Sequence, residues 1–584
     1  MLAVRTEERA VAAPHTPLGG NLPHVRCVMT RRVLPFTMAF IVLAPGVAMA
    51  QGEAASASQS PGVPSVVLRI DPRLIIEAAE VWRLIAGREN PVWPGWDASD
   101  TPILFYLPGE QDVLINHPRP PAGFVPYDGP VPFPGGRILV RDGPGFLQYD
   151  GQNTSRDIEG VRTLVVADAL SNLRQQIRGL LEAPRPPGER PPDLSFSQLA
   201  IDPYDQLTLI VHEAFHVFQD RAAPTKGANE MLLLHYPVLS VANNVGFAQE
   251  GAALAAALRS ASDSACRSAA VRWLALRRQR RSLLPPEAVE YENGAEFSEG
   301  LAKYTEYRLL ETLDGRTPGQ AMWLVQGFGG YGNLASRRSR LVDRMLQHMR
   351  GEVSVNNDPY GTAPLRMRLY YSGMAIGALL ERLHTDWKDR IVAPGVSLTD
   401  LADSAIGADA GELRRALEDV RREGNYDSLV AAKRRLAEEG RARIDTVLGG
   451  IEHGAGTGII VDYGALATPR VALAFTPFGI SVVDADRTIY TQIPIRAQFP
   501  DGSEVAQTEP MPLLHDKKRK LIRFRLPRAL SPQEVASAAG AVAPTGQEVR
   551  ELRLALPGVV LHAVRATIQW EGRDLHIVLR APQR

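Results

Sequence analysis

The sequence predicts an α+β fold in which a mostly helical central domain lies between an N-terminal strand-containing region and a C-terminal β-rich, sandwich-like domain. Three observations predict it. Residues 195 to about 445 are dominated by Ala, Leu and Arg, all good helix formers. Residues 91–150 are rich in Pro and Gly and hold short apolar runs of strand length. Beyond residue 455 the chain becomes a series of short β-type runs, many separated by Pro or Gly. A length of 584 residues leaves room for about three or four domains. The boundaries fall at 1–50 (an upstream extension and an export signal), 51–192 (an α+β region with a linker), 193–450 (helical) and 455–584 (β-rich).

Each element has its own signal. Residues 51–64 are Ala, Ser, Gln, Gly and Pro and form a lead-in. Ile75, Ile76, Ala79, Trp82 and Ile85 recur at helical spacing and predict an amphipathic helix. Ile103–Leu107, Val113–Ile115 and Ile138–Val140 read as strands. Val161–Leu181 reads as a helix, and Ala183–Pro192 as a linker. In the C-terminal domain Gly458–Val461, Val471–Phe475, Ile480–Val483, Ile489–Phe499, Leu521–Leu526, Leu552–Leu556 and Leu575–Leu579 read as strands, and Asp501-Gly502 is a hairpin signal.

Composition narrows the function. With 65 Lys+Arg against 65 Asp+Glu the net charge is zero, which argues against a nucleic-acid partner. Two cysteines, Cys27 and Cys266, exclude a disulfide framework, and Cys266 reads as a small buried apolar residue. Met29-Thr-Arg-Arg32 supplies a basic start, Val33–Val47 an apolar stretch, and Ala48-Met49-Ala50 a cleavage site, so a signal peptide is expected to end near Ala50. Broken by Pro35, Pro45 and Gly46, that stretch is too short to span a bilayer comfortably. The expectation is an exported protein, periplasmic or secreted, without stable membrane insertion.

One motif carries chemistry. His212-Glu213-Ala214-Phe215-His216 is an HExxH sequence. On a helix, positions i and i+4 share a face, so both imidazoles can reach one metal ion. Glu213 beside them can act as a base toward the water that the metal activates. Asp202 is a suitable N-cap, Pro203 suits the first helical position, and the residues that follow are apolar nearly all round. With 12 His in 584 residues, HExxH arises by chance in roughly one such chain in a hundred. A catalytic zinc takes a third protein ligand. The HExxHxxGxxH pattern is absent because Gln219 stands where Gly is needed, which leaves Glu250 and Glu299 as candidate acids.

Glu299-Gly300-Leu301-Ala302-Lys303-Tyr304-Thr305-Glu306 resembles the EGxAxYxE helix of gluzincins, the thermolysin-related zinc metallopeptidases that include the zinc aminopeptidases. Tyr370-Tyr371-Ser372-Gly373 is similar to the Y-x-x-G of the same group. The resemblance spans Asp202 to Leu383. It implies a zincin-like catalytic core with Zn²⁺ held by His212, His216 and Glu299. It further implies Glu213 as general base and Tyr370, with Tyr371 as the fallback, as the donor to the oxyanion. The substrate it implies is a peptide or protein bound along a sheet edge by strand addition.

Three departures qualify it. The stretch from His216 to Glu299 is far longer than in gluzincins and is filled by an Ala- and Arg-rich helical insertion. Lys303 replaces the thermolysin-type Asp, which makes Glu306 the candidate to orient an imidazole. No GxMEN segment precedes the helix, so aminopeptidase specificity is not implied. The insertion motivates a second expectation, a zincin-fold binding or structural module that holds zinc without turnover.

Overall fold

In the computed structural model the described residues are 67–143, 153–171 and 201–581, apart from residues 88, 132, 134, 135, 356–360, 424, 425, 475–478, 492, 493, 539–545 and 547. The export signal, the lead-in and the 183–192 linker lie outside them. Helix α1 (Arg73–Ile85) forms where the apolar spacing predicts, and buries Ile75, Ala78, Val81, Trp82 and Ile85.

Among the described residues six strands follow: β1 (Ile103–Leu107), β2 (Gln111–Ile115), β3 (Val125–Pro126), β4 (Ile138–Asp142), β5 (Thr154–Ile158) and β6 (Val161–Ala167). They form one sheet in the order β3-β4-β2-β1-β6-β5, antiparallel except for the β1–β6 pair. Phe105 stands opposite Val113 on one side and Val166 on the other. The helix expected over Val161–Leu181 is corrected here: residues 161–167 are strand β6, and residues 172–181 are not described. The reason is burial on both faces. Leu164 and Val166 join the main core, while Val165 and Ala167 join a second core on the opposite face. Residues 164–167 are apolar at every position and carry no period-2 signature, so the run reads equally as buried helix.

The central region is helical, as expected. It comprises α2 (Pro203–Ala222), α3 (Val241–Arg259), α4 (Asp263–Arg281), α5 (Pro286–Ala295), α6 (Leu301–Leu313), α7 (Ala335–Met349) and α8 (Thr362–Arg382). Shorter helices follow, then a 28-residue helix, Tyr426–His453, that leads into the C-terminal strands. Helix α2 packs on β5 and β6 on one side and on α6 on the other.

The C-terminal strands are β7 (Gly458–Asp462), β8 (Ala472–Ala474), β9 (Ile480–Val482), β10 (Arg487–Tyr490), β11 (Arg496–Gln498), β12 (Glu504–Gln507), β13 (Leu513–Asp516), β14 (Leu521–Arg525), β15 (Glu548–Leu556), β16 (Val559–Glu571) and β17 (Asp574–Leu579). Among the described residues these eleven strands belong to one hydrogen-bonded sheet, where the sequence suggested a sandwich of two. The connection is made at β17, which pairs antiparallel with β16 and parallel with β7. The run expected as a single strand over Ile489–Phe499 is two strands, β10 and β11. Pro494 lies between them and has no N–H for a ladder. Apolar contacts run from Ile70 through the helices to Leu579, so this sheet shares the main core.

Candidate metal centre

Helix α2 begins as the sequence implies. The Asp202 carboxylate accepts from the Tyr204 N–H at 2.9 Å and Pro203 occupies the first turn. Two turns on, it presents His212 and His216 to the helix pair α5–α6. That pair is one nearly continuous rod interrupted by a single π-helical turn, Glu296–Gly300. A π turn inserts one extra residue, and such turns cluster at functional sites. Here the turn carries Glu299.

Single ligand atoms of His212, His216 and Glu299 all lie within 4.8 Å of one another. Glu299 Oε2 is 3.6 Å from His212 Nε2 and 3.4 Å from His216 Nε2. Bonds of about 2.0–2.1 Å to a tetrahedral zinc set its ligand atoms about 3.4 Å apart, so the spacing fits that ion. Glu250, the other candidate acid, is elsewhere. It is fully buried between Arg277, at 3.1 Å, and Arg280, at 2.5 Å, and is not a ligand.

The far side of each ring fixes its tautomer. His212 Nδ1 lies 2.8 Å from Glu306 Oε1, and a second oxygen of Glu306 takes the Lys303 ammonium at 2.7 Å. His216 Nδ1 lies 3.0 Å from Gln219 Oε1. The Gln219 amide nitrogen donates to the Phe297 carbonyl at 2.6 Å, which leaves its oxygen free to accept. Both Nδ1 atoms therefore donate, and both Nε2 atoms turn toward Glu299. Glu306 thus has the orienting position expected of it. Gln219, seen in the sequence only as the residue in place of Gly, has the same role toward His216. A Gln three residues after the second His of the motif was the signal for it.

Electrostatics favour a cation at this point. Burial opposes charge on His212, but hydrogen bonds with Glu299 and Glu306 outweigh it and push its pKa up to about 10. Burial would raise Glu299, yet His216 and His212 hold it well below the usual carboxylate range. Glu213 moves the other way. Burial raises its carboxyl, and Glu299 and Glu306 add to that against the lowering by the two histidines. Two imidazole nitrogens and one carboxylate oxygen are the donor set that suits Zn²⁺.

Tyr370 stands beside the cluster on α8. Its ring is stacked over His212 with centres 6.0 Å apart. Burial, then the charge of Glu299, drives its pKa well above the ordinary phenol value, so it stays protonated. Tyr371 faces away and stacks on His348 at 4.8 Å. His235 follows three leucines and so resembles a core histidine in sequence, but it is exposed at the end of the short 3-10 segment Glu230–His235.

The insertion between His216 and Glu299 has a definite place. Arg277, Arg280 and Arg281 of α4 reach Glu250 of α3, Glu292 of α5 and Glu296 of the π turn. Ser372 of α8 also donates to Glu296. The inserted hairpin thus braces the turn that presents Glu299. No family model, curated protein or solved structure matches the chain.

Proposed function

We propose that the chain is a zinc-dependent metallohydrolase of the gluzincin type, a peptidase with a zincin-like catalytic core. The observation that carries the reading is the spacing of His212 Nε2, His216 Nε2 and Glu299 Oε2, at 3.6 and 3.4 Å, with both rings oriented from behind. Bound by these three residues, Zn²⁺ supplies a Lewis acid that polarises a carbonyl and lowers the pKa of water. Glu213, its affinity for a proton raised by burial, accepts one from the attacking water and returns it to the leaving amine. Tyr370, still protonated, donates a hydrogen bond to the oxyanion. Edge strand β5, packed on α2, offers a backbone to which an extended peptide adds as a further strand.

Among the described residues no helix is long and apolar enough to cross a membrane. The export signal read at Met29–Ala50 places the enzyme outside the cytoplasm in this proposal.

The test combines metal analysis with hydrolysis of casein. The full chain should bind one zinc and cleave casein, and Glu213→Gln should keep the zinc and lose the cleavage. A wild-type chain that binds no zinc sinks the proposal. Stoichiometric zinc with no hydrolysis in the wild type instead supports the binding-module reading, which the extensive bracing by the insertion also suits.

A further inference from the structure

Arg366 lies on α8, one turn before Tyr370, and is 9% exposed. Its Nη2 donates to Glu299 Oε1 at 2.6 Å. Its Nη1 donates to Glu230, on the 3-10 segment that follows the HExxH helix, and Glu230 also accepts from the Tyr291 hydroxyl at 3.2 Å. The guanidinium carbon is 5.7 Å from the centre of the Tyr370 ring.

These contacts divide the work of one carboxylate. Glu299 Oε2 faces the two imidazoles, while Oε1 is occupied by Arg366. Chelation through both oxygens would pull Oε1 off the guanidinium and leave a buried charge short of a partner, which is costly. Glu230 and Glu299 together neutralise Arg366, so it is not a spare cation waiting for a substrate carboxylate.

We infer that Arg366 is a positioning residue of the metal centre, holding Glu299 as a one-oxygen ligand. The inference rests on the zinc reading above. The guanidinium is a rigid planar fork that spans Glu299 and Glu230 together, and a lysine ammonium cannot reproduce that geometry. A merely structural arginine would change the melting temperature and leave the metal's coordination alone.

The experiment uses the full chain with three readouts: zinc Kd by chelator competition, the visible absorption of the Co²⁺-loaded protein, and the melting temperature of the metal-free protein. Arg366→Ala should weaken zinc by about 10–100-fold, the usual effect of removing a group that orients a ligand, and should shift the Co²⁺ spectrum. Arg366→Lys should keep the metal-free melting temperature, still shift the spectrum, and bind zinc between the two. If Arg366→Ala does not fold, Arg366→Lys decides. A folded variant with wild-type Kd and wild-type Co²⁺ spectrum overturns the inference while zinc in the wild-type chain leaves the metal reading intact. A wild-type chain without zinc overturns both.

Discussion

Gly300 and Gly373 meet backbone to backbone. A Cβ built on Gly300 would lie 2.6 Å from Gly373 Cα, and one on Gly373 would lie 2.6 Å from Gly300 Cα. Neither glycine has a positive φ, so closeness of approach is what requires them. Glu299 is the neighbour of one and Tyr370 lies a turn before the other. The crossing of these helices therefore sets how near the acid and the phenol come.

Gly373→Ala should cost about 1–3 kcal/mol, as overpacking does, because the atoms it meets are backbone atoms that cannot rotate away. Since the contact carries the π turn, zinc binding should weaken as well. Urea unfolding and zinc titration read the two effects. An alanine variant as stable as the wild type would show that the helices are not in contact there.

Glu306→Gln retains an oxygen that can accept from His212 Nδ1 but loses the charge that Lys303 and His212 share. The expected result is a zinc affinity about 10–100-fold lower with little change in metal-free stability. Chelator competition alongside a melting curve checks it. Equal affinities would remove Glu306 from the centre.

The helix that bears the motif was legible because its signals are local: a capping Asp202, Pro203 after it, and two histidines a turn apart. Glu299 was legible because an acid two turns before Glu306 opens a run matching a known motif. The π turn was not, since one extra residue per turn leaves no mark in a sequence. Arg366 was not read either, although it and Arg368 interrupt the otherwise apolar stretch 363–371 of α8. A buried arginine demands a carboxylate, and that demand was the available signal. Strand β16 escaped because Arg565 and Gln569 dilute its alternation. Its buried residues, Val559, Leu561, Ala563, Ala566 and Ile568, keep a two-residue step apart from one break.

Arg280 sits at the middle of the buried charge network, between Glu250 and Glu292 and beside Asn243. Arg280→Met leaves two buried carboxylates underpaired and should cost about 3–5 kcal/mol. Arg267→Ala, on the same helix as Arg280, breaks an exposed pair with Glu412 and should leave the urea midpoint unchanged. If the two variants unfold alike, the inserted hairpin is not a brace.

His348 gives the fold a predictable response to acid. It is 4% exposed, it stacks on Tyr371, and its Nδ1 has no hydrogen-bond partner among the described residues. Burial, then the charges of Arg368, Lys303 and Arg344, lower its pKa to about 4. In the unfolded chain it titrates near 6.5. Above that pH neither state holds the proton and stability is complete. Between 6.5 and 4 the unfolded chain takes a proton that the fold refuses, so stability falls as pH drops, by up to about 1.4 kcal/mol per pH unit. His515, also lowered to about 4, acts in the same direction. His348→Phe keeps a ring against Tyr371 and removes one of the two protons, so its stability should decline less steeply across this window. Urea midpoints from pH 4.5 to 7.5, measured in chelator so that metal release adds nothing, give both slopes. Parallel curves for the variant and the wild type would mean that His348 is protonated in the fold as readily as in water.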